Sequence, residues 1–421
     1  MSAIITNKFR FAQAKSFIDS FATNNIYIAI AKSSPWTSGD GVSVDENNPA
    51  TPSDTSTQDT KDFSQVLGMK LITSTGVSYV APRQNWVTST VYSMYDDQDL
   101  LLNTAGHYCY VVNPNTFGVY KCIWNNNGGA SSIIPTGNST SIFTTADNYQ
   151  WKYMYTLLPS DISVFLNTNW FPIRDKLAST LSTDQLAVSS AAISGGIHAV
   201  KITTPGSGYT SGSFTISGSN VSGDGTGFTG TLTVVGGVLT SVSVITPGTG
   251  YTTCTLTLPA GVGAGSGTGA IRAIISPVGG HGTDPVVELN ALYVMATTTL
   301  NYSESTELTV ANDYRKIFLL QNPLLAAGTS QAIPGAIVKN NLLKINYNGS
   351  VSGTFKLDET VNFGSSASTG VLIDHDTVGK ILYFSELNGS AVPSVATLTG
   401  TVSGATVSYT VAPIYPFFKS R

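Results

Sequence analysis

Charge is what this chain has least of. Asp, Glu, Lys and Arg make up 11% of its 421 residues, under half of the roughly 25% typical of globular proteins. The basic residues are scattered, and the nearest approach to a cluster is Lys8 with Arg10. With a net charge of −4 and no cationic stripe, the chain lacks the footprint that a phosphate backbone requires, which argues against any nucleic-acid partner. Cysteine is equally sparse. Cys109, Cys122 and Cys254 are too few, and odd in number, for a disulfide framework. They read instead as small apolar core residues of a chain folding in a reducing cytoplasm. No apolar run approaches the roughly 18 residues of a membrane span, so no membrane insertion is expected. The opening MSAIITNKFRFAQAK lacks the charged region, apolar stretch and small-residue cleavage site of a secretory signal.

In place of charge the sequence carries glycine (41 residues), serine, threonine and asparagine. Hydrophobic residues reach 41%, enough to fill cores in a chain longer than one core usually organises. Ser and Thr lose less on desolvation than Lys or Glu, which are depleted from interface cores. The composition therefore suits a β-rich protein whose surface neighbours cover, although secreted and cell-surface β proteins share it.

Ala14, Phe17, Ile18 and Phe21 fall at i, i+3, i+4 and i+7 and predict an opening helix, with Thr6 or Asn7 as cap. Asn24-Asn25 ends it and residues 26–31 read as a buried strand. Residues 37–62 hold hardly any large apolar side chain and predict a long surface loop or arm. Strands are predicted at 77–80, 108–112, 119–124 and 151–157, with 108–112 and 119–124 forming a hairpin, and a short helix at 160–167. Further strands are predicted at 289–296, 315–320 and 337–347, followed by short β runs to residue 410.

An internal repeat is the strongest organisational signal. ISGGIHAVKITTPGSGYTSGSFTI is followed by VVGGVLTSVSVITPGTGYTTCTLTL, placing Pro205 and Pro247 42 residues apart (247 − 205), as are Tyr209 and Tyr251 (251 − 209). Each copy is expected to turn at its Pro-Gly-x-Gly-Tyr, with Pro205, Gly206, Gly208 and Tyr209 in the first and Pro247, Gly248, Gly250 and Tyr251 in the second. Glycine would supply positive φ and tyrosine would cover the core edge of two small β modules in a projecting, inserted domain.

Motifs that could carry chemistry are weak. Gly223-Asp224-Gly225-Thr226-Gly227 and Gly263-Ala264-Gly265-Ser266-Gly267 lack the following helix and the GK[ST] of a phosphate loop, so they read as structural turns. His107, His198, His281 and His375 show no metal-ligand spacing. Asp374-His375-Asp376 reads as a solvated turn, and Asp96-Asp97-Gln98-Asp99 as an acidic loop without the spaced ligands of a calcium site. No nucleophile elbow or catalytic cysteine signature is present. No cofactor, metal or catalytic residue is therefore expected, and the chain reads as non-enzymatic.

Several segments together carry a resemblance. IITNKFRFAQAKSF with NNIYIAIAKSSPWTS, then APRQNW at 81–86, YVVNPNTFGVYKCIWNNNGG at 110–129, DNYQWKYMYTLLPSD at 147–161 and NDYRKIFLLQNPL at 312–324 occur in order. In this the chain resembles the dimeric baseplate wedge subunit of large contractile-tailed bacteriophages, over roughly residues 4–180 and 281–324. The resemblance implies a β-sandwich core with long insertions, and a homodimer clamped by other wedge proteins in the virion's tail baseplate, made in the host cytoplasm. There it would help relay the change that triggers sheath contraction, without catalysis. The matched positions Pro35, Trp36, Pro82, Arg83, Trp86, Trp151, Arg315 and Pro323 read as fold-defining core positions rather than a binding site.

The fold expected is thus mainly β, a β-sandwich core with long insertions, an inserted two-repeat β domain and a small C-terminal β module. The corresponding divisions are 1–190 and 276–338 for the core, 191–275 for the insertion and 339–421 for the C-terminal module. The repeats and the C-terminal module depart from the family pattern, and the latter suits contact with a fibre or peripheral spike. Two rival readings remain: a trimeric tail-fibre or receptor-binding protein recognising host glycans, and a polysaccharide-degrading tailspike with a carboxylate pair in a groove.

Overall fold

Aromatic and β-branched residues recur in short runs between Asn, Gly and Pro turns, and those runs become strands. The computed structural model describes residues 5–40, 43–52, 59, 62–63, 66–175, 181–300, 313–324, 337–339, 342–364, 367–389, 392–410 and 417–419. The fold is mainly β, with several antiparallel sheets and no closed barrel. It divides into two units, Met1–Ile18 with Val77–Ala296, and Asp19–Gly76 with Thr297–Arg421. The stretches 1–190 and 276–338 are each shared between these units, while 191–275 lies wholly in the first and 339–421 in the second.

In the first unit, strands Tyr110–Val112, Gly118–Asn125, Tyr149–Thr156 and Phe143–Thr144 form one antiparallel sheet in that spatial order. The predicted hairpin is there, with Tyr110 opposite Lys121 and Val112 opposite Val119. A second sheet places Val77–Pro82 between Tyr293–Ala296 and Trp170–Ile173. The two sheets share one core that includes Tyr79, Ala81, Tyr110, Val119, Met154 and Phe171. Tyr110 and Phe171 rings meet across it at 5.5 Å, and Tyr155 Oη donates to Pro172 O at 3.0 Å. The opening helix, Asn7–Ser20, adds Ala14, Phe11 and Ile18 to this core. Thr6 Oγ1 accepts from Phe9 N at 3.3 Å, so Thr6 is the cap. Phe21 lies just past the helix end but is buried.

The other face of the four-stranded sheet is buried too, through Tyr120, Cys122, Tyr149, Trp151 and Tyr153 packed with Val188. Val188 belongs to helix Thr183–Ser190, whose cap Ser182 accepts from Gln185 N. Burial on both faces explains why these central strands read as near-continuous apolar and aromatic runs rather than alternating ones. The helix at 160–167 appears as Pro159–Phe165, with Asp161 in its first turn and paired with Arg174 at 2.7 Å.

The repeats fold differently from expectation. They do not make two separate modules: the copies interlock around one core that contains both Tyr209 and Tyr251. Ile197–Thr204 from the first copy pairs with Ala270–Ile275 beyond the second, and Val221–Gly223 pairs with Cys254–Leu256. Gly212–Ile216, Thr226–Val235 and Val238–Thr249 complete a three-stranded sheet. Pro205 turns the chain as predicted, but Pro247 does not. Strand Val238–Thr249 runs through Pro247 and Gly248, with Pro247 opposite Phe228. Proline is admissible there because this strand lies at the sheet edge, where a missing ladder donor costs little.

In the second unit, Ile26–Ala31 is the predicted buried strand, flanked by Lys316–Gln321 and Val66–Leu71. A six-stranded sheet runs Leu343–Asn346, Ile381–Asn388, Thr369–Asp376, Thr360–Phe363, Ala396–Gly400 and Thr406–Tyr409. Its core is built on residues such as Leu343, Phe363, Phe384 and Tyr409. The strand expected over 337–347 is two strands in different sheets, Ile337–Lys339 pairing with Phe417–Lys419 instead. The strand expected over 289–296 begins only at Tyr293. Asp284-Pro285 first starts the one-turn helix Pro285–Glu288, because a capping Asp followed by Pro favours a helix start. Of the loop at 37–62, residues 41–42, 53–58 and 60–61 lie outside the described residues. The rest holds a short 3-10 turn, Ser38–Asp40.

Candidate functional site: a buried charge cluster

Lys121 and Lys152 are direct cross-strand neighbours in the four-stranded sheet, and both are buried. Two like charges side by side in a core need a counter-ion. Glu288, at the end of helix Pro285–Glu288, provides it: Lys121 Nζ lies 2.8 Å from Glu288 Oε2, with both side chains at most 1% exposed. Glu288 Oε1 accepts the backbone N–H of Gly282 at 2.8 Å and of Asp284 at 3.1 Å. Lys121 Nζ also sits 4.1 Å from the Tyr95 ring centroid, a cation–π contact. Lys152 donates to Thr140 O.

Two histidines complete the cluster. The His281 ring meets Tyr95 edge-on at 4.8 Å and His198 at 5.5 Å. Its Nδ1 is 3.8 Å from Glu288 Oε2, beyond hydrogen-bond range, and has no partner among the described residues. Burial, then the charge of Lys121, pulls His281 down to about 3. Burial, then Lys152, pulls His198 down to about 4. Burial is the largest single influence on Glu288 and acts to raise it, but Lys121 and His281 together outweigh it and the carboxyl falls to about 2. At neutral pH this is an ion pair between neutral imidazoles, with every Glu288 oxygen committed. A base poised for proton transfer needs a pKa near the working pH, and neither histidine has one. It joins the strand Gly118–Asn125 to the 281–288 turn.

Asp96 acts likewise. The sequence marks 96–99 as an acidic loop, yet Asp96 is 7% exposed. Arg272 Nη2 donates to both its oxygens at 2.6 Å, Arg272 Nη1 reaches Asp97 at 2.9 Å, and Lys201 Nζ is 3.3 Å from Asp96. Arg272 and Lys201 lie on the paired strands of the repeat region, so this carboxylate clasps that region. Asp374-His375-Asp376 is the end of a strand rather than a turn. His375 Nε2 hydrogen-bonds Tyr347 Oη at 2.8 Å, and only Asp376 leads into a turn, accepting from Val378 and Gly379 amides. Among the described residues no three His, Cys, Asp or Glu side chains converge as a metal site would need.

The resemblance positions fall in separate places. Trp151 is fully buried and stacks on Tyr149 at 5.4 Å. Pro82 O accepts from Tyr110 Oη, Arg83 Nη1 donates to Asn167 O at 2.9 Å, and Trp86 Nε1 donates to Ser131 Oγ at 3.1 Å. In the second unit, Trp36 and Arg315 are brought together by Glu46, which accepts from Trp36 N and, at 2.9 Å, from Arg315 Nε. Lys32 Nζ lies 4.9 Å from the Trp36 ring centroid. Pro323 is buried, whereas Pro35 is exposed. Of the repeat positions, Tyr209 and Tyr251 are buried, and Gly206, Gly208, Gly248 and Gly250 all have positive φ.

Sequence reasoning missed Lys121, Lys152, Glu288 and Tyr95. The one available signal was lysine inside runs of aromatic residues, at 118–125 and 149–156. The three cysteines are free, and burial raises the Cys109 thiol to about 11. No helix among the described residues is long and apolar enough to cross a membrane. No protein-family model matches the chain, and no curated protein matches it.

Proposed function

We propose that the chain is a structural subunit of a phage tail baseplate wedge. In this reading it assembles as a homodimer with other wedge proteins and relays the rearrangement that triggers sheath contraction. The observation that carries the reading is the ordered set of segments resembling the dimeric wedge subunit. The spent state of the buried charges agrees with it: Lys121 and Glu288 bind each other, and Asp96 binds the half-buried Arg272. The surface also fits a protein meant to be covered. Only 11% of its residues are charged, and charged residues are those depleted from interface cores. A wedge subunit would work by rigid-body repacking at its interfaces.

Light scattering at two concentrations, with antibody labelling of phage particles under the electron microscope, tests this. A stable mass near 88 kDa (2 × 44.1 kDa) with label at the baseplate is expected. A mass near 132 kDa (3 × 44.1 kDa), or label at fibre tips, would overturn it in favour of a trimeric fibre or tailspike.

A further inference from the structure

Between the four-stranded sheet and the repeat region of the first unit lies a groove of about 370 Å³, within the ~300–1,000 Å³ range of ligand pockets. One wall is a cross-strand row. Thr144 is opposite Gln150, and Gln150 is opposite Trp124, so hydroxyl, amide and indole stand abreast on three adjacent strands. The facing wall is Ser241–Val244 on the strand Val238–Thr249, at the open edge of its sheet. Asn127 and Asn148 close the groove on the turn side.

Three properties bear on what it could hold. First, its polar side chains are unspent. Thr144, Gln150, Asn127, Asn148, Ser241 and Ser243 make no side-chain hydrogen bond to any described residue. Second, it holds no Asp, Glu, Lys or Arg, and its one ionisable group, His198, is neutral at physiological pH. Third, Asn127 (φ 54°) and Asn148 (φ 63°) hold left-handed backbone conformations, where glycine costs least. The neighbouring Asn126 (φ 52°) donates its amide to Asp147 O. Among the described residues the side-chain amides of Asn127 and Asn148 have no such partner.

The chemistry selects a ligand. A nucleic acid, a phosphate or an acidic sugar would find no cation here. A lipid or other apolar ligand would bury amides and hydroxyls without partners, at a cost of about 1–3 kcal/mol for each group. A neutral sugar ring instead offers an apolar C–H face to an indole, while its hydroxyls both donate and accept, as Asn, Gln, Ser and Thr do. We propose that this groove binds a neutral oligosaccharide, with Trp124 as the stacking platform and Gln150, Asn148 and Asn127 as the hydroxyl readers. The proposal does not rest on the wedge reading: a baseplate subunit or a fibre could each carry such a groove.

The test uses the full-length chain and saturation-transfer NMR. The probes are neutral linear tri- and tetrasaccharides of glucose, galactose, mannose, rhamnose and N-acetylglucosamine, with sialic-acid and uronic-acid oligomers alongside. At least one neutral saccharide is expected to bind and to change tryptophan fluorescence. Its Kd should rise about tenfold, the equivalent of one lost hydrogen bond, in Gln150→Ala and in Asn148→Gly. Asn148→Gly and Asn127→Gly keep the left-handed backbone, so an unchanged melting temperature is expected for both. No binding of any neutral saccharide at millimolar concentration overturns the proposal. So does tighter binding of the acidic oligomers, or binding that survives all three substitutions.

Discussion

Lys121 Nζ lies 2.8 Å from Glu288 Oε2, although 167 residues separate the two in sequence and neither reaches solvent. A buried pair of this kind adds little over a well-packed apolar pair, but breaking it leaves an uncompensated charge. Lys121→Met should therefore destabilise the chain by about 3–5 kcal/mol. Glu288→Gln in the same background should recover much of the loss. Urea unfolding of the single and double variants measures both. A Lys121→Met variant as stable as wild type would mean that the pair is not formed.

The histidines beside that pair make stability depend on pH. His281 and His198 ionise near 6.5 when unfolded, but only at about 3 and about 4 when folded. Between those values the unfolded chain binds more protons, so stability is full above pH 6.5 and falls as pH drops towards 4. Each histidine contributes a slope on the order of 1 kcal/mol per pH unit. Glu288, depressed to about 2, acts lower: its contribution is present above its unfolded value near 4.5 and is lost as pH falls towards 2. Urea unfolding at pH 8, 6 and 5 should show the histidine slope, and His281→Leu should flatten it.

Tyrosine against glycine holds the repeats together. A methyl group on Gly225 would collide with the Tyr251 ring and with the backbone of Tyr251 and Thr249, and one on Gly265 with the Tyr209 ring. Gly225 needs no positive φ, so Gly225→Ala tests packing alone and should cost about 1–3 kcal/mol. At Gly236, where φ is 60° and nothing lies within 4 Å, alanine should cost only the backbone penalty of about 1 kcal/mol. Calorimetry on both variants separates the two effects, and equal losses would count against the tyrosine seat.

Arg315 should act on Trp36 through Glu46. Arg315→Ala removes both bonds to the Glu46 carboxylate and frees the acceptor of the Trp36 amide. Faster hydrogen exchange at the Trp36 amide is expected, with the buried Trp151 amide unaffected as an internal control. Unchanged exchange at Trp36 would show that Glu46 does not depend on Arg315.

Local chemistry was legible in the sequence wherever a short stretch decides its own conformation. The Thr6-capped helix, the strand at Ile26–Ala31, the hairpin closed by Asn113-Pro114-Asn115 and the glycines at positive φ in the first repeat turn all follow from residue type and spacing. The locations of the buried charges were not legible. A lysine alternating with aromatics in a strand ordinarily marks the solvent face, and only the arrival of the 281–288 turn made Lys121 a core residue. Asp96 looked solvated until Arg272, 176 residues away, closed on it. The interlocking of the repeats and the Thr144–Gln150–Trp124 row depend on strand register. Register follows from which faces are buried against which partners, a long-range property that no local window of sequence contains.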